Sequence, residues 1–223
     1  MADNFQDPEQ LLKISLKAMR EELSILKRPY RDARAVKTVI IDGYDEPCHE
    51  EFEKFLSHYS HLETLSMEGS ALISDDHLMI IGRTLKKLQS VAISMNTSIT
   101  DAGLGYLSGE SDSSEEVSCP LLNSIDIGRA GDITDKGIRS TTSRLPKLEH
   151  FGLWVNKVDK NVAQCIAETK GLKSVTLRKQ DTFSRGEHKL MERAGFEIEQ
   201  DSVYGDGVEE HWIRKAKTIL ISD

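Results

Sequence analysis

Cys48, His49, His58 and His61 form the densest group of metal-capable side chains in this chain. Zinc needs thiolates and imidazoles converging on one point, and sites legible in sequence usually show CxxC or HxxxH pairs. Here the cysteine and the first histidine are adjacent, and His58 and His61 lie at or past the end of one helix. The spacing predicts no metal centre. The paired carboxylates Glu50-Glu51 and Glu209-Glu210 would suit acid–base work only if their environments drove their pKa values apart. As neighbours in charged runs they read as solvated faces. The chain has no phosphate-cradling glycine loop, no HExxH, no nucleophile elbow and no kinase signature. With no nucleophile–base pair in view, the sequence predicts a protein that is not an enzyme and takes no cofactor.

The informative chemistry belongs to side chains suited to gripping another protein, and their placement depends on a repeat. The pattern LxxLxL recurs as Val36, Val39, Ile41; Leu62, Leu65, Met67; Leu88, Val91, Ile93; Leu122, Ile125, Ile127; Leu148, Phe151, Leu153; and Leu172, Val175, Leu177. Leading positions are 26, 26, 34, 26 and 24 residues apart. The long interval contains GESDSSEEVS, and removing eight residues there restores the period. Three leading positions are followed, in constant phase, by Ile73-Ser74-Asp75, Ile99-Thr100-Asp101 and Ile133-Thr134-Asp135. A Ser or Thr before an apolar-periodic run supplies an oxygen for the unpaired N–H groups of a helix start. Gly103 and Gly137 would let each helix backbone approach the layer beneath.

Each unit therefore reads as strand, turn, capped short helix, turn. One unit cannot bury its own apolar face, and stacking about six of them makes a continuous interior. The expected architecture is an α/β horseshoe solenoid, with a parallel sheet on the concave side and short helices on the convex side. SCPLLNSIDIGRAGDITDKGI and LKKLQSVAISMNTSITDAGL resemble the cysteine-containing leucine-rich repeats of F-box-type proteins, over about residues 35–180. Gly69, Asn96 and Arg129 stand near the turn positions where that subfamily has cysteine. The resemblance implies a protein-binding adaptor or scaffold or, as the alternative, a substrate-recognition subunit of a ubiquitin ligase with ligase components as partners.

On such a sheet, positions between the core residues face the concave solvent in three columns. The first holds Thr38, Thr64, Ser90, Ser124, His150 and Ser174; the second Ile40, Ser66, Ala92, Asp126, Gly152 and Thr176. The third holds Asp42, Glu68, Ser94, Gly128, Trp154 and Arg178, running from acidic to basic. A large aromatic and an arginine are typical interface anchors. The predicted partner-binding set is Trp154, Arg178, His150, Asp126, Glu68 and Asp42.

Outside the repeats, Leu12, Leu16, Met19, Leu23 and Leu26 make one stripe that predicts a helix over 8–27, within an N-terminal cap or docking segment at 1–34. PEQLLKI is similar to the opening of an F-box, although too few residues follow for its three helices. A Ser-rich acidic loop is expected at about 108–118, open to phosphorylation. Residues 181–223 read as a C-terminal cap: a helix stopped at Gly195, then two strand-like runs about Gly205-Asp206-Gly207, with Trp212 as its anchor. The net charge of −8 and the lack of a basic stripe predict no nucleic-acid partner. The sparse cysteines Cys48, Cys119 and Cys165, the acidic start and the short apolar runs predict a cytoplasmic or nuclear protein without a membrane span.

Overall fold

A computed structural model describes residues 11–15, 19, 33–43, 47–68, 73–93, 98–109, 118–128, 133–154, 160–179, 184–204 and 207–214; for Glu68, Trp154 and Arg178 it describes the backbone alone. The architecture is α/β. Strands β1 (Leu11–Ser15), β2 (Thr38–Asp42), β3 (Thr64–Glu68), β4 (Ser90–Ile93), β5 (Ser124–Ile127), β6 (His150–Trp154), β7 (Ser174–Lys179), β8 (Phe196–Tyr204) and β9 (Gly207–Arg214) form one sheet. Helices α1 (His49–His58), α2 (Asp75–Thr84), α3 (Asp101–Ser108), α4 (Asp135–Arg144), α5 (Lys160–Glu168) and α6 (Arg185–Arg193) follow β2 to β7 in turn. The first seven strands pair in parallel in chain order, and β9 then inserts antiparallel between β7 and β8.

The apolar triplets explain this order. Each of their eighteen side chains is at most 2% exposed, and all belong to one core with the buried faces of the helices. Alternation along each strand sends two of the three inward, and the leading residue closes a recurrent turn before the strand. In that turn the N–H groups of Leu62, Leu88, Leu122 and Leu148 donate to the carbonyls of Tyr59, Leu85, Cys119 and Leu145, each at 3.1 Å. The insertion leaves this geometry intact: Gly109 ends α3 at φ +82°, and Cys119 resumes the turn by donating to Leu107 O. Residues 110–117 of the expected acidic loop lie outside the described residues.

The helix starts do more than cap. Thr100 and Thr134 hydroxyls accept from the N–H groups of Ala102 and Lys136. The first residues of α2 and α3 then tie their units to the next. Asp75 accepts from Thr100 N at 2.9 Å and Thr100 Oγ1 at 2.6 Å; Asp101 accepts from Thr134 N at 2.7 Å and Thr134 Oγ1 at 2.6 Å. Gly103 and Gly137 make room for these carboxylates. A Cβ on Gly137 would stand 2.6 Å from Asp101 Cγ, and one on Gly103 2.8 Å from Leu78 Cδ1. The close approach expected at both glycines is thus the seat of a repeated aspartate.

One expectation is overturned. Residues 11–15 are not helical but form β1, paired with β2 from Leu11↔Thr38 to Ser15↔Asp42. Leu12 and Ile14 stand in register with Val39 and Ile41, so the sheet's own period extends toward the N-terminus. A strand beside β2 covers backbone donors and acceptors that a helix would leave open. Met19 is helical and fully buried, and the rest of the expected 8–27 helix lies outside the described residues.

At the other end, Ser184 and Glu187 form a reciprocal cap on α6, and Gly195 (φ +87°) turns the chain into β8. Pairing of Val175 with Trp212 puts the indole on the helix side, 1% exposed and 5.3 Å from the His188 ring. Trp212, expected as the anchor of a terminal cap, belongs to the core. Among the described residues, no helix is long and apolar enough to cross a membrane.

Candidate partner-binding face

The sheet face opposite the helices is built by register. Thr38↔Thr64, Thr64↔Ser90, Ser90↔Ser124, Ser124↔His150 and His150↔Ser174 are directly paired, so the first column runs unbroken across six strands. The second runs likewise through Ile40, Ser66, Ala92, Asp126, Gly152 and Thr176. In the third, Asp42 pairs with Glu68 and Trp154 with Arg178, while Ser94 lies outside the described residues.

The six predicted residues fall into two groups. Asp42 and Glu68 sit on β2 and β3, whereas Asp126, His150, Trp154 and Arg178 sit on β5, β6 and β7. Five strand spacings separate β2 from β7, which is about 24 Å. The acidic and basic ends of the third column therefore cannot meet on one side chain of a partner, but one extended segment can touch both. Asp42, Asp126 and His150 are exposed. Asp126 lies against the next strand, because a Cβ on Gly152 would stand 2.6 Å from Asp126 Oδ1. Gly152 is thus buried under a carboxylate, two residues from both His150 and Trp154.

Register also creates a contact that sequence reasoning missed. His150 Nδ1 lies 2.6 Å from Ser174 Oγ, although 24 residues separate them. Only the pairing of β6 with β7 could have revealed it. Among the described residues, the ring makes no other hydrogen bond. What the pair presents outward is one imidazole nitrogen beside a hydroxyl, suited to a partner's polar group. Just before the first column, Lys37–Glu63 and Lys173–Glu149 are bridged at 2.7 Å each. The Lys173 hydrogen bond, with the charge of the same ammonium group, holds the Glu149 carboxyl below its usual range. These bridges are partly exposed and contribute little stability.

The metal-capable group does not converge. Cys48 is exposed ahead of α1, His49 begins that helix, His58 ends it and His61 follows. Ten helical residues span about 15 Å. Among the described residues, no three His, Cys, Asp or Glu side chains are placed to hold an ion. The histidine that does matter structurally, His77, is fully buried and was not singled out. Ser74 N donates to its Nδ1 at 3.1 Å, and Nε2 lies 2.9 Å from Pro47 O. A carbonyl can only accept, so Nε2 carries the proton. The signal was there as Ser74-x-x-His77, a capping-box spacing with histidine in place of Glu or Gln. Burial raises the Cys119 thiol to about 12, which makes it a packing group.

Comparison with known proteins assigns the chain to no family: no family model matches it, and no match is found among the curated proteins.

Proposed function

We propose that this chain is a non-enzymatic protein-binding module, a leucine-rich-repeat solenoid that holds a protein partner across the open face of its sheet. One observation carries the reading. Six strands stand in unbroken register, with a polar first column and a mixed second column on the face that the helices do not cover. Such a face needs no sequence specialisation to remain folded, because the core lies on the other side. Its side chains are not part of the core and can serve recognition. The small residues of the first two columns let a partner approach the strands, and Asp126, His150, Trp154 and Arg178 supply polar, aromatic and cationic contacts within three adjacent strands. Asp42 and Glu68 extend the acidic end. The fold class supports this reading by analogy, and the side chains give it content.

The test uses the full chain as bait in native extract, beside Asp126→Arg and Trp154→Ala variants, with quantitative mass spectrometry. A partner lost from both variants while melting temperature is unchanged supports the open face. Retention of every captured partner by both variants removes it from the open face.

A further inference from the structure

His77 joins the connections that leave two neighbouring strands. Pro47 follows Asp42, the last residue of β2, by five positions, and Ser74 follows Glu68, the last residue of β3, by six. The imidazole is fully buried between them with both ring nitrogens engaged. Its Nε2–H donates to Pro47 O at 2.9 Å, and its Nδ1 accepts from Ser74 N at 3.1 Å. That pairing needs the neutral ring. A second proton can go only to Nδ1, where it would face the Ser74 N–H. The Ser74 hydroxyl, 2.8 Å from Nδ1, could take the new donor, but the backbone N–H would then lose its acceptor just before α2.

The surroundings weigh against a charged ring. Burial strips the water that would solvate it, and hydrogen bonding to the neutral form holds the proton off. The N–H groups that open α2 carry partial positive charge. From α1, the His49 ring lies 4.4 Å away at 73°, so a cation there would add repulsion, and the uncharged Phe52 ring lies at 5.4 Å. Carboxylates would favour a cation, but those nearby are already engaged or in water. Asp75 accepts from Thr100 N and Oγ1, and Asp101, which opens α3, is held likewise by Thr134. Asp76 is exposed, and in the first turn of α1 Glu50 is paired with Lys54 while Glu51 is half-buried. The Cys48 thiol is exposed as well.

We propose that His77 is an acid-sensitive latch: neutral, it ties the connection after β2 to the start of α2, and protonation releases the tie. An opened joint takes up a proton on this ring below about pH 6.5, whereas the closed joint does not. Opening is therefore favoured as pH falls, by up to about tenfold per pH unit. The effect is local, because β2 and β3 lie toward one end of the sheet and each unit leans mainly on its neighbours. The latch does not depend on the open-face reading, since it works through buried contacts on the helix side.

Amide exchange of the full chain, corrected for the intrinsic rate at each pH, tests this. From about pH 7.5 to about pH 5.5, protection at Ser74 N and at Leu78 N, which donates to Ser74 O, should fall about tenfold while β6 and β7 stay as they were. His77→Gln keeps an acceptor for Ser74 N in the usual capping-box form and cannot titrate. Its protection at both amides should be level across the range. If that variant does not fold, nitrogen chemical shifts of the His77 ring in the parent chain decide: the neutral Nε2–H form should persist while Ser74 is protected, and the charged ring should appear only as that protection is lost. Protection at Ser74 that holds in the parent, an equal fall in His77→Gln or throughout β6 and β7, or a charged ring beneath a protected Ser74 amide would overturn the proposal.

Discussion

Asp101 and Gly137 hold each other in place. The carboxylate satisfies two donors of the next unit, Thr134 N and Thr134 Oγ1, and it can reach them only because residue 137 has no side chain. Hydrogen bonds to a charged group are worth about 1.5–3 kcal/mol each, and partial exposure of this site pulls the total toward the lower end. Asp101→Ala should therefore cost about 3 kcal/mol. Gly137→Ala forces a methyl group into the carboxylate and should cost about 1–3 kcal/mol. The double variant is the informative one, because removing the carboxylate removes the clash. Its cost should fall short of the sum by about 1 kcal/mol or more in urea titrations. Strict additivity would show that the two residues do not share one seat. The pair was half legible in the sequence: ITDxG predicted the cap and the close approach, but not that the aspartate bonds outward to the following unit.

Elements at the ends of the stack carry a different burden from those in the middle. An open parallel sheet exposes both core and backbone at its last strand, and β9 answers this by running antiparallel beside β7. Arg214, its last residue, lies 4.3 Å over the Phe196 ring and also binds the carbonyls that end α5. Burial lowers its pKa from the ordinary value, the sign of a cation held out of water by its partners. Arg214→Met keeps the apolar stem and removes the donors. It should cost about 2 kcal/mol and speed amide exchange in α5 and β9, leaving β2 to β4 as they were. Unchanged exchange in α5 would mean that β9 holds the stack by apolar contact alone. The helix stop at Gly195 and the two strands after it were legible, yet Arg214 was invisible, since its partners lie 44 to 47 residues away. The N-terminal end misled for a plainer reason. Leu12, Leu16 and Met19 fit a helical stripe, while Glu9 occupies the place of the leading leucine and hides the triplet that Leu12 and Ile14 complete. The 27-residue step from Leu11 to Thr38 was the available cue.

Across the whole molecule, sequential pairing from β1 to β7 means that each unit touches little beyond its two neighbours. Stability in such a stack is a sum of unit and interface contributions, so the position of a lesion decides how far its effect travels. Ile125, 1% exposed at the middle of β5, has interfaces on both sides. Leu12 in β1 is half-buried and pairs on one side only. Ile125→Ala should cost about 3–4 kcal/mol and accelerate exchange in β3 through β7, because losing the central unit uncouples the two halves. Leu12→Ala should cost about 1 kcal/mol, since less of the side chain leaves water on folding, with faster exchange confined to β1 and β2. Hydrogen exchange followed by mass spectrometry separates the two patterns. If Leu12→Ala instead loosened β6 and β7 as much as β2, the chain would unfold as one cooperative body. The nearest-neighbour account of its stability would then fail, because an effect at one end would be crossing interfaces that this topology keeps separate.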